Sequence, residues 1–305
     1  LSAMANNGIY PDGTTLQAAL TAPQPSGTVN YLQTFAAGMS ESVSPTTGLS
    51  MTGGSSPQGL TYDPNTGTYA YTPIFGLGSF FYHYLPQSST VPIAAGSLYA
   101  DGNFTAYATK DASTSDTNVL LLFKQGASNS TINLTYANFG IFSHVYSGPL
   151  SAADRSHAEF FVFGVPTSQA NVPATGSATY TGINYGAYHD ALGNYLTKGA
   201  TTFAANFANA TVSTTLTFTG VNTQSGGPSL STTIYSGTGS IAMFGGISSY
   251  GWQQFHGTLT GAASGTFVGS FYGPSANEFG FSYAIGPSTG NSTQGFGVAL
   301  GKKGP

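Results

Sequence analysis

From Gly176 onward the chain alternates large apolar residues with small or polar ones, in short runs cut by turn residues. This period of two constrains the fold more than any other feature, because it is the repeat of a strand and not of a helix. In "TTFAANF" and "TVSTTLTF", Phe203, Phe207, Val212, Leu216 and Phe218 stand an even number of positions apart within each run. That places them on one face of a sheet. The pattern predicts eight strands, at 176–186, 200–207, 211–219, 229–236, 240–247, 254–261, 265–272 and 277–285, with 293–300 as a ninth or as the closing strand. Strands of this length, turning every few residues, predict an up-and-down barrel, which leaves no exposed edge. Many alternate positions are Gly, Ala or Ser, which cover a lipid-facing band poorly, so a small barrel filled with its own side chains fits better than an outer-membrane barrel.

The first half is less regular. "TTLQAAL" (Thr14–Leu20) is the one stretch that reads as a short helix. After Tyr31, alternating runs are broken by turn signals at Asn65-Thr66-Gly67, Asp101-Gly102-Asn103 and Gln125-Gly126, of which the Asn-x-Gly and Asp-Gly steps tolerate positive φ and read as hairpin turns. The whole is predicted all-β: a β-rich, handle-like domain over 1–170 and an eight-stranded antiparallel barrel over 171–305.

Composition narrows the function. Charged residues make up 5% of the 305 residues, against a usual figure of about 25%. Six Lys and Arg and a net charge of −4 argue against nucleic acid, which needs a basic face. No apolar run reaches the length of a transmembrane helix. Without cysteine there are no disulfides or thiolate metal sites. A chain that begins at Leu1 points to a targeting segment removed upstream. With so little charge to keep copies apart, self-association into a surface layer, sheath or filament is one reading of the whole chain.

Few residues carry chemistry. Glu278 lies in "GTFVGSFYGPSANEFGFSYAI" with no other acid after Asp190, so two-carboxylate catalysis has no local partner. The expectation is structural: Gly273 and Pro274 end one strand, and Glu278 accepts backbone N–H bonds across the hairpin bend. His83, His144, His157, His189 and His256 lack the paired spacing of a zinc site. In "FFYHYL", His83 between Tyr82 and Tyr84 offers imidazole and phenol suited to haem iron; the same run also reads as a strand with one aromatic face. Trp252 in "YGWQQF" could stack on a ligand or plug a barrel end. The Gly-rich runs match neither a phosphate loop nor a nucleophile elbow.

Three stretches, "LTYANFGIF" (Leu134–Phe142), "FFVFGVPT" (Phe160–Thr167) and "VPATGSATYTG" (Val172–Gly182), resemble the bridge into the barrel of transferrin-binding-protein-B-like proteins. "GSFYGPSANEFGFSYAI" is similar to that family's Gly-Pro…Glu hairpin, and "GFGVALGKK" to its closing strand. The resemblance runs from about Leu134 to Lys303 and rests on the order and spacing of the pieces. It implies a handle-like domain followed by an eight-stranded barrel, exported to the bacterial surface or beyond, and no enzymatic activity. Family members bind host iron or haem proteins, haem itself or complement regulators. The implied role is to bind a ligand or a protein partner through loops. Residues 1–305 carry one handle-plus-barrel lobe without strongly charged loops, and a lipidation cysteine would lie upstream of Leu1.

Overall fold

The computed structural model describes residues 15–21, 30–31, 33–41, 49–54, 60–63, 65–71, 83–94, 97–110, 115–145, 157–242, 254–286 and 293–304. Among these, one short helix, α1 (Leu16–Thr21), precedes an all-β chain. The strands of the first half are β1 (Asn30–Tyr31), β2 (Gln33–Glu41), β3 (Leu49–Gly54), β4 (Thr61–Asp63), β5 (Thr68–Tyr71) and β6 (His83–Pro86). They continue with β7 (Thr90–Val91), β8 (Phe104–Lys110), β9 (Thr117–Phe123), β10 (Ala137–Val145) and β11 (His157–Gly164). The second half holds β12 (Ser177–Asp190), β13 (Gly193–Asn206), β14 (Thr211–Asn222), β15 (Leu230–Ile241), β16 (Phe255–Thr260), β17 (Gly265–Tyr272), β18 (Glu278–Ile285) and β19 (Gln294–Lys303).

Strands β12 to β19 pair in chain order, and β19 returns to β12 to close an eight-stranded barrel. The strands depart from the expectation near residue 240. β15 runs unbroken through Ile241 and takes in the start of the strand expected at 240–247; residues 243–253 lie outside those described. The run near 293–300 supplies the eighth strand and closes the barrel. β12 and β13 are also longer than predicted, since their Ala191-Leu192 turn sits further along and their pairing runs from Ser177 to Asp190.

The barrel interior is packed. Phe267, Phe271, Phe279, Phe281, Tyr283 and Ile285, all from β17 and β18, lie inside it. They meet Phe203, Phe218, Tyr180 and Tyr235 from the other strands, with Phe203 and Phe279 stacked at 4.5 Å. Rings of this size need room opposite. A β-carbon on Gly297 would stand 2.6 Å from the Tyr283 hydroxyl and 2.7 Å from Cα of Gly186, so glycine there makes space for the phenol. The outer face of β13 to β17 is hydroxylated instead. Ser213, Thr238, Thr258 and Thr266 sit side by side in register, and Thr202, Thr215, Ser236 and Thr260 form the next row. Aromatic inside and hydroxyl outside is the inverse of a membrane-spanning barrel.

In the first half, β3-β2-β11-β10-β9-β8-β7 form a seven-stranded sheet and β1-β4-β5-β6 a four-stranded one. The larger sheet is the middle layer of the molecule. Phe161, Phe163, Phe142 and Leu120 face the small sheet with Tyr62, Tyr69 and Tyr71. Phe160, Val162, Phe139 and Ile141, from alternate positions, face the barrel. Covered on both sides, β11 reads as the continuous apolar run "FFVF". The Asp101-Gly102-Asn103 turn leads into β8 and does not join two strands of a hairpin; Asp101 caps it by accepting from the Asn103 N–H at 3.0 Å.

Candidate functional site

The contact between sheet and barrel is built around two features, a buried carboxylate and an open cleft. Glu278 is 4% exposed and its carboxylate accepts three backbone N–H bonds. Thr135 donates to Oε1 at 2.7 Å, and Tyr136 and Ala137 donate to Oε2 at 2.9 and 2.8 Å. The donors are the two residues leading into β10 and its first residue, not the barrel hairpin that carries Glu278. Its bonds therefore tie the barrel to the middle sheet, where the sequence led us to expect a bond across its own bend. Burial pushes the carboxyl above its ordinary value, while the three N–H donors and Lys302 pull the other way.

Gly273, at φ +83°, lets the chain turn after β17 before Pro274. The turn is held by the sheet side as well: Thr167 Oγ1 donates to the Gly273 carbonyl at 2.6 Å, and the Gly273 N–H donates to Val165 O at 3.2 Å. Pro166 bridges to Tyr272. Gln254 completes the seam, donating to Thr167 O at 2.6 Å and accepting from the Phe271 N–H at 2.9 Å. Hydrogen bonds buried at such a junction fix the angle between the two parts, since leaving any one unmade is costly.

Further along the same junction lies a cleft of about 400 Å³. Leu121, Ile141, Ser143, Ala158 and Phe160 form its sheet wall. Ala187, His189, Asn194, Leu196 and Phe296 are the main residues of its barrel wall. Phe160 and Phe296 meet edge to face at 5.5 Å. His189 Nδ1 lies 2.7 Å from Asn194 Oδ1. An amide oxygen only accepts, so the pair forms with Nδ1 as the donor, and in that tautomer Nε2 is the acceptor. Tyr99, also in the wall, has a buried hydroxyl without a hydrogen-bond partner, and its pKa is driven far up by that burial.

Of the residues singled out in the sequence for ligand binding, Tyr84 is not among those that line this cleft. His83 pairs with Tyr71 on β6, the edge strand of the four-stranded sheet, and Tyr84 beside it is 63% exposed. Tyr82 and Trp252 lie outside the described residues. Among the described residues no three His, Cys, Asp or Glu side chains gather as a metal site, and no helix is long and apolar enough to cross a membrane. The sequence reading passed over Ala187, Asn194 and Leu196. Their one signal was the short "DALGN" turn, which sets His189 and Asn194 across a strand pair. It also missed Glu159, fully buried in β11, whose carboxylate accepts from the Tyr71 hydroxyl at 2.7 Å between the two sheets.

No family model and no curated protein sequence matches the chain. Solved structures do. A mutant transferrin-binding protein B from Haemophilus parasuis Hp5 is 14% identical over 88% of this chain and 45% of its own, with a TM-score of 0.47. The isotype 1 transferrin-binding protein B of serogroup B Neisseria meningitidis is 14% identical over 89% of this chain and 44% of its own, with a TM-score of 0.44. A surface lipoprotein is 15% identical over 89% of this chain and 99% of its own, with a TM-score of 0.42. The chain thus spans less than half the length of the two transferrin-binding proteins.

Proposed function

We propose that this is an exported, non-enzymatic bacterial binding protein of the transferrin-binding-protein-B-like type, displayed at the cell surface or secreted, with residues 1–170 as its handle and 171–305 as its barrel. It holds a protein partner through loops. The observation that carries this reading is the filled barrel: aromatic side chains of β17 and β18 occupy the interior, so recognition falls to the outside of the molecule. The sequence motifs resembling that family support the export and the class of partner. Protease shaving of intact cells that express the full gene is the test. Digestion of the chain on intact cells, or its recovery from the medium, is expected; a chain protected until the cells are lysed overturns the reading.

A second reading is a self-assembling surface structure. It is favoured by the rows of Ser and Thr on the outer face of β13 to β17, which carry no charge to repel a copy. Light scattering over a dilution series separates the two: a monomer at all concentrations supports the binding protein, and large particles support assembly.

A further inference from the structure

We propose that the cleft between the middle sheet and the barrel is a small-molecule site, taking one uncharged, mainly apolar molecule that carries a hydroxyl or N–H donor. This reading does not depend on loops or on a protein partner. Its size, about 400 Å³, lies within the roughly 300–1,000 Å³ of ligand pockets. The walls set the chemistry. Leu121, Ile141, Phe160, Leu196 and Phe296 present aliphatic and aromatic surface, which gains when an apolar body displaces water from it.

No Asp, Glu, Lys or Arg is among the described residues that line the cleft. A charged ligand would lose its water there and find no opposite charge, so the site selects against ions. One polar group supplies direction. His189, with Nδ1 held by Asn194, keeps Nε2 to accept a hydrogen bond, and this calls for a donor on the ligand. An aromatic amine or a phenol-like molecule meets this requirement.

The probe is N-phenylnaphthylamine, neutral with one N–H, whose fluorescence brightens out of water; its sulfonated analogue has the same rings and a negative charge. Added to the full chain, the neutral dye is expected to saturate near one per molecule and to bind about tenfold tighter than the sulfonate or better. Ala158→Phe fills the cleft from the sheet side and Ala187→Phe from the barrel side. Each is expected to weaken the dye about tenfold while circular dichroism and melting stay those of the parent. With two walls tested separately, misfolding of one variant leaves the other to decide. His189→Phe, which keeps the bulk and removes the acceptor, is expected to cost about fivefold. Absence of saturable brightening, equal binding of the sulfonate, or brightening that the folded cleft-filling variants leave intact would each overturn the proposal.

Discussion

Glu278 shows how one side chain can hold two parts of a molecule together. Its carboxylate gathers three N–H groups from residues 135–137, more than 140 positions earlier in the chain. Glu278→Gln puts an amide NH₂ where a carboxylate oxygen accepted, so at least one buried N–H loses its partner. The expected cost is about 2 kcal/mol at neutral pH, measured by chemical denaturation. The pH dependence follows from the raised carboxyl. A group whose pKa is higher folded than unfolded binds its proton more tightly in the folded state. Its contribution to stability is fully present below the ordinary value of 4.5 and is lost as pH rises through the folded pKa. The stability difference between the parent and Glu278→Gln is therefore expected to grow on acidification from neutral pH toward 4.5. A difference that shrinks would place burial below hydrogen bonding in this site.

At the scale of the element, β19 reverses a simple rule. Its large residues, Phe296, Val298 and Leu300, point out of the barrel, and its small ones, Gly295, Gly297, Ala299 and Gly301, point in. The middle sheet covers the outer face of this strand, so burial there is as complete as inside, and the interior volume has been taken by rings from β18. Gly297→Val would drive two methyl groups toward the Tyr283 hydroxyl and the Gly186 backbone. The expected loss is about 1–3 kcal/mol, seen as a lower melting temperature; Val298→Ala, on the other face, is expected to cost about the same by leaving a gap beneath the sheet. The two variants separate in one respect. Gly297→Val strains the barrel alone, while Val298→Ala loosens its contact with the sheet, so limited proteolysis near the junction should rise only for the second.

At the scale of the whole molecule, layering decides what each residue does. The small sheet, the middle sheet and the barrel wall share two apolar seams, one on each face of the middle sheet. Since few charges take part, stability is expected to change little between low and moderate salt, and a melting series in sodium chloride checks this. Strand period, turn residues and scarcity of charge belong to the local text, and from these the chain alone determined an all-β fold and a closed barrel at its C-terminal end. Which face of β19 is buried, where Glu278 finds its donors, and the cleft walled by Ala158 and Ala187 were decided only by the tertiary structure. A period of two says that a strand has two faces; it does not say what packs on them, and contacts between residues more than a hundred positions apart leave no local trace in the alternation.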